Sequence, residues 1–140
     1  MLVRDFKPQD SVALVEILKA NQQYGHPELD GPEAMLAVQR CAAAEFLVAE
    51  IDGAPVGLMR GVFDGSRAII YLASVRRDYQ RQGIGKSLLR EIVLRFKKRG
   101  AKSVSVTIPG EAEFWKRFGF RQTTRVMSAY PIDEVLAQVS

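Results

Sequence analysis

A chain of 140 residues, 47% hydrophobic and 26% charged, has the size and composition of one ordinary globular domain, which excludes disordered and low-complexity classes. No charge-free run exceeds eight residues, so no helix is expected to span a bilayer; Met1-Leu2-Val3-Arg4-Asp5 leads into no apolar signal core, and a cytoplasmic location is expected. A single cysteine, Cys41, and a single histidine, His26, exclude an internal disulfide, a thiolate-rich zinc site and a multi-histidine metal centre.

Leu2-Val3 with Phe6 predicts a short opening strand. Asp10-Ser11 is placed to cap a first helix, with apolar positions 12, 14, 15 and 18 on one side. Residues 21–31, NQQYGHPELDG, break that periodicity and hold Gly25, Pro27 and Gly31, so they read as a loop. Pro32 opens a second helix running through 34–43, which makes Cys41 a helix core residue. Two strands, 45–51 and 56–63, are joined by the hairpin signal Asp52-Gly53. A second turn, Asp64-Gly65-Ser66, leads into Ala68–Val75, whose apolar residues on both faces predict a buried central strand. After a loop at 76–83, Ile84, Leu88, Leu89, Ile92, Val93 and Phe96 recur at helical spacing, and Gly100 supplies the stop. Val104, Val106 and Ile108 then alternate with Ser103, Ser105 and Thr107 as a strand. Strand, helix and strand in this order imply a parallel pair with a right-handed crossover. A short helix near 111–117 and one or two strands within 119–130 complete the pattern. The expected fold is α+β: one domain over 1–140, with a mixed, mostly antiparallel sheet, one parallel βαβ unit and flanking helices.

The net charge of +4 is unevenly distributed. Between Arg76 and Lys102 ten basic residues face only Asp78 and Glu91, a local net of +8, and the rest of the chain carries −4. A positive segment on an otherwise acidic protein suggests a phosphate-bearing partner. Few aromatic residues interleave with these charges, so base stacking has little to work with and nucleic acid is disfavoured as that partner.

The strongest local signal is Gln80-Arg81-Gln82-Gly83-Ile84-Gly85-Lys86-Ser87, between a buried strand and a helix start. Its two glycines permit turn conformations and close backbone approach. The helix start offers unpaired N–H groups and the positive end of the dipole, and Arg81 and Lys86 add charge, so the loop is an expected phosphate site. Two nucleotide patterns fail. A Walker A loop needs a glycine where Gln80 stands, and the dinucleotide fingerprint needs one where Leu88 stands.

VRRDYQRQGIGKSLL, residues 75–89, resembles the coenzyme A-binding motif of the GCN5-related N-acetyltransferases, with Gln80, Gly83 and Gly85 at the pattern's positions. FWKRFGF, residues 114–120, is similar to that family's Phe-Tyr-x-x-x-Gly-Phe segment. The resemblance implies an acyl-CoA N-acyltransferase-like fold with acetyl-CoA as acetyl donor. It implies that pantetheine pairs with backbone around Ala73 and Val75, and that the pyrophosphate rests on backbone N–H groups of Arg81, Gln82, Gly83, Ile84, Gly85 and Lys86, with Ser87 adding a hydroxyl. It further implies that strands 68–75 and 103–108 splay apart to admit the thioester, and that an amine attacks the acetyl carbonyl directly.

The departures fall on the catalytic side. Trp115 stands where relatives often place a tyrosine acid, and indole has no titratable proton near neutral pH. Ile108 and Ile69 occupy positions where relatives carry an asparagine and a glutamate. Tyr71 on the central strand and Tyr130 on a late strand are the replacement candidates, each also readable as packing. Tyr79 reads as structural, and Glu111 and Glu113 as favouring a helix start. Tyr24 and His26 lie in the loop that borders the acceptor site in the family and are the candidate substrate residues.

The leading reading is an acetyl-CoA-dependent N-acetyltransferase acting on an amine acceptor: a small amine, an amino acid or a protein. The alternative is a catalytically weak acyl-CoA-binding regulatory module of the same fold. A nucleic-acid-binding basic domain ranks third, no membrane partner is expected, and homodimer formation is left open.

Overall fold

The computed structural model describes residues 1–107 and 112–140. It divides into two compact units, Met1–Ile108 and Pro109–Ser140.

The first unit is built on a five-stranded sheet in the order β1 (Leu2–Asp5), β2 (Ala44–Ile51), β3 (Ala54–Phe63), β4 (Ala68–Val75) and β5 (Val104–Val106). Neighbours are antiparallel except β4 and β5, which run parallel as the crossover predicts. Asp52 and Gly53 both have positive φ, +51° and +80°, the twist that closes a two-residue hairpin between β2 and β3.

Register decides which residues share a face. Phe46, Arg60 and Leu72 stand in one row and Val48, Leu58 and Ser74 in another. This face packs under α1 (Ser11–Ala20) and α3 (Pro32–Gln39), through Leu14, Leu18 and Met35, all fully buried. On the opposite face, Glu45 and Gly61 pair, and Leu88, Leu89, Ile92 and Phe96 of α4 (Ile84–Arg99) are buried. Gly57 explains the close fit of α4: a Cβ there would lie 3.3 Å from Leu88 Cδ1.

The ladder between β3 and β4 slips by one residue. Arg60 pairs with Leu72 but Gly61 pairs with Ile70, leaving Tyr71 as the extra residue of a β-bulge. Gly61 is required there because a Cβ would come within 2.4 Å of the Ile69 carbonyl oxygen.

Several expectations need correction. Residues 21–31 are not wholly irregular: Pro27–Asp30 form a single helical turn, α2. Asp10 does not cap α1 with its side chain. Its carboxylate instead accepts from Arg4 Nη1 and Nη2 (both 2.9 Å) and the Lys7 amide (2.8 Å), because the buried Arg4 is the stronger partner. The second helix stops at Gln39, so Cys41 is exposed rather than in the core. Alternate residues of β4 are only half-buried, so one side of that strand is less covered than its composition suggests.

In the second unit, α5 (Glu113–Arg117) seats Trp115 edge-on against Phe114 (4.9 Å) and Phe120 (5.6 Å). The strands expected within 119–130 do not form: no residue there is in a ladder, and 121–140 are exposed throughout. Alternation alone is not enough, since a strand needs a neighbour to pair with and a face to bury. The unit ends in α6 (Asp133–Val139).

Candidate cofactor site

β4 and β5 pair only from Ala68/Val104 to Ile70/Val106, with one further bond from the Thr107 amide to the Ile70 carbonyl (3.0 Å). Among the described residues, no strand pairs with this edge of β4 from Tyr71 to Val75. Side chains fill part of that edge. Gln23 Nε2 donates to the Ala73 carbonyl (3.0 Å), and Asn21 Nδ2 donates to Ser74 Oγ (2.7 Å) and the Val75 carbonyl (2.9 Å). Gln80 Nε2 also donates to the Val75 carbonyl (2.9 Å), tying the glycine loop to the strand it follows. Gln80 stands in the glycine-loop motif, whereas Asn21 and Gln23 carry no sequence signal beyond polar side chains in a segment that breaks helical periodicity.

The loop closes at Gly83, whose φ of +84° lets the chain turn into α4. A Cβ at Gly83 would meet no heavy atom within 4 Å, so glycine is reserved there by conformation rather than by crowding within the protein. Arg81 also has positive φ, +63°. No side chain caps α4 and its first turn holds no acidic residue. The first amide with an intrahelical acceptor is that of Ser87, which donates to the Gly83 carbonyl (3.1 Å), so the N–H groups of Ile84, Gly85 and Lys86 are left for another acceptor. Arg81, Gln82 and Lys86 are exposed around them, and Gly85 and Ser87 are half-buried. This arrangement gathers directed N–H groups, the dipole of a 16-residue helix and two exposed cations, features that favour an anion.

The basic run is not one patch. Arg76 pairs with Asp78 (2.8 Å), and Arg77 donates to Gln22 Oε1 (3.0 Å). Tyr79 lies under the Arg76 guanidinium (5.2 Å), in keeping with a structural role. At the far end of α4, Arg95 binds Asp5, Glu45 and Glu91, and Arg99 Nη2 binds Glu45 (2.6 Å). A cleft of about 430 Å³ at that end is lined by Cys41, Glu45, Arg95 and Arg99 among others. It lies ten residues along the helix from Gly85, about 15 Å away, and its arginines already have carboxylate partners.

The remaining predicted residues are placed as follows. Tyr71 is the bulged residue of β4, half-buried against the core under α1 and α3. Ile69 stands beside Ser105 of β5 with no carboxylate in its place. Ile108 and Glu111 lie outside the described residues. Trp115 is buried and Glu113 pairs with Lys116 (3.7 Å). Tyr24 is half-buried with Lys19 Nζ 5.7 Å from its ring centroid, His26 precedes α2, and Tyr130 belongs to the second unit.

Residues 42–122 match the model of the acetyltransferase (GNAT) domain, more than half of the chain. The chain belongs to the GNAT family. A curated relative, Acetyltransferase SG1711 of Sodalis glossinidius, is 33% identical over 66 residues, 47% of this chain and 46% of that protein; the match thus spans about half of that relative's length. The fold is shared with the Ard1 protein of Thermoplasma volcanium (24% identity, 88% of this chain and 84% of that one, TM-score 0.75). It is shared with the PaiA N-acetyltransferase of Thermoplasma acidophilum, solved with coenzyme A (19%, 86% and 89%, TM-score 0.73). A transcriptional regulator from Bacillus halodurans C-125 has it too (18%, 92% and 98%, TM-score 0.74). Among the described residues no helix is long and apolar enough to cross a membrane, and no cluster of His, Cys, Asp and Glu could hold a metal.

Proposed function

We propose that this GNAT protein is an N-acetyltransferase that takes its acetyl group from acetyl-CoA and passes it to a primary amine. The observation that carries the reading is the juxtaposition of an unpaired β4 edge, Tyr71–Val75, with the open helix start at Gly83–Lys86. The residues present fit a pantetheine diphosphate. The open N–H groups of Ile84, Gly85 and Lys86 would take the pyrophosphate, and the empty space over Gly83 leaves it room. Arg81 and Lys86 add attraction, and Ala73 and Val75 offer backbone to the pantetheine arm, sharing carbonyls now used by Gln23 and Asn21. When bound, acetyl-CoA would supply a thioester to a neutral amine, the N–C bond forming as the C–S bond breaks and the proton lost by nitrogen ending on the departing thiolate.

The chain's own residues hold the reactants rather than exchange protons by the family's usual groups. Neither Trp115 nor Ile69 can take or give a proton near neutral pH. Tyr71, one residue past the last described β4–β5 pair, is the proposed acid, with Tyr130 the second candidate. Tyr24 and His26 are proposed on the acceptor side. Because a coenzyme A thiolate is a good leaving group, modest acid assistance suffices and turnover is slow but real. The second reading, a binding module without turnover, is favoured by the same apolar replacements.

Thiol release from acetyl-CoA across an amine panel separates the two. Acetylation of at least one amine supports the enzyme; calorimetric binding of coenzyme A with no thiol release from any amine supports the module. Absence of both binding and release overturns both.

A further inference from the structure

Arg60 is a charged residue on β3 whose side chain is only 3% exposed. Its Nη2 donates to the Leu29 carbonyl (3.0 Å) and to Asp30 Oδ1 (2.9 Å), both in α2. Its Nε and Nη1 have no hydrogen-bond partner among the described residues. Unmet donors on a buried cation are rare in native proteins and call for a missing acceptor. The guanidinium is also held in place, with Cζ 5.4 Å from the Phe46 ring centroid and 5.2 Å from that of Tyr71. Tyr71 is the bulged residue, one past the last β4 residue paired with β5 among the described residues, so Arg60 lies beside the end of that pairing.

We propose that Arg60 is an acceptor-binding residue whose open Nε and Nη1 donors receive a carboxylate carried by the amine substrate, so that the preferred acceptors are amino acids rather than simple alkylamines. The inference rests on the acetyl-transfer reading above and names its substrate class. Guanidinium donors match carboxylate oxygens in charge and geometry, and the Asp30 carboxylate is bonded only at Nη2. An alkylamine would enter and leave the same donors unmet, and a site built around such donors rejects a substrate without the matching group. The cover over the guanidinium is slight: α2 is one helical turn with Leu29 half exposed, and Tyr71 and Tyr24 are half-buried. A small shift of these groups admits the carboxylate while Asp30 keeps its bond to Nη2.

The test compares matched substrates by thiol release: the proteinogenic amino acids, their carboxamides, and the amines that decarboxylation of each would give. Wild-type protein is expected to favour at least one amino acid over its decarboxylated amine about ten- to a hundredfold in kcat/KM, the range for a hydrogen bond to a charged group. Arg60→Lys should erase most of that preference through KM for the amino acid while KM for acetyl-CoA stays within about twofold. If the lysine variant does not fold by circular dichroism, the wild-type preference, together with calorimetry of N-acetyl amino acids against their amides, decides alone. Equal use of all three forms overturns the proposal and leaves acetyl transfer standing; equal use of acids and carboxamides but not amines overturns it in favour of a carbonyl, as at a peptide N-terminus. No thiol release with any amine removes the acetyl-transfer reading and this inference with it.

Discussion

At the start of α4, Arg81 and Lys86 are exposed around N–H groups that nothing in the protein caps; at its other end, Arg95 and Arg99 are drawn onto the buried Glu45, with Asp5 and Glu91 beside them. A linear count of charge gives the whole segment one character, yet the arginines at the two ends stand in different surroundings. The difference comes from what faces each end. Glu45 points from β2 toward the C-terminal half of α4, whereas the first turn of α4 holds no acidic residue and no side chain among the described residues caps it. Charge opposite a buried carboxylate serves the fold; charge beside open backbone donors stays unpaired among the described residues and is the part proposed to bind.

Five substitutions would break or sharpen this contrast. The largest effect is expected from Gly83→Val. A β-branched residue is strained at φ +84°, by about 1–3 kcal/mol, and its side chain would occupy the space reserved for the phosphate. Calorimetry should detect no coenzyme A or dephospho-coenzyme A binding, while circular dichroism still reports a folded protein. Wild-type affinity in a folded variant would mean that the loop is not the cofactor site. Next comes Glu45→Ala at the opposite end. Removing the carboxylate shared by two arginines should lower stability by about 2 kcal/mol, less than for a fully buried pair because both arginines are about a third exposed. Urea titration measures the loss, and coenzyme A affinity should stay within about twofold.

Arg81→Ala and Lys86→Ala should each cost about 0.5–2 kcal/mol of coenzyme A affinity, without altering the melting temperature by more than a degree or two. The loss should shrink as salt rises, since exposed charges are screened over about 10 Å at 0.1 M. Smallest is the acid limb at Asp10, away from α4. Burial pushes its carboxyl up, but hydrogen bonds from Arg4 and the Lys7 amide prevail and hold it below the ordinary 3.8. A carboxyl lowered in the fold stabilises above its unfolded value and loses that contribution as pH falls through it. Asp10→Asn should therefore flatten the fall in melting temperature below about pH 4, while coenzyme A binding at pH 7 stays unchanged.

The parts of the molecule legible in the sequence are those fixed locally. Asp52-Gly53 and Gly100 adopt the positive φ their positions imply, and α4 follows its apolar spacing from Ile84 to Phe96. The glycine loop was legible for the same reason: strand, glycines and helix start are neighbours in the chain. What escaped depends on distant partners. Arg60, in the run Gly57-Leu58-Met59-Arg60-Gly61, looks like an outward-facing strand residue, and only α2 folding over it makes it a buried cation. Cys41 and Asp10 depart from expectation because neither the end of α3 at Gln39 nor the pull of Arg4, six residues before Asp10, is written in apolar periodicity. The late strands failed for want of a partner edge.

The single extra residue in β4 has a further consequence, one of counting. In an unbroken strand, residues 70, 72, 74 and 76 would aim their backbone groups at the same neighbour. Here the Ile70 carbonyl faces β5, where it accepts from Thr107, whereas the Arg76 amide faces β3 and donates to Val56. Tyr71 absorbs the half-step, and that is why the carbonyls of Ala73 and Val75 look outward rather than into the ladder. Parity, not side-chain identity, thus makes the edge available. Deleting one residue between Ile70 and Leu72 would leave every later side chain in the protein and yet turn those two carbonyls away from the gap.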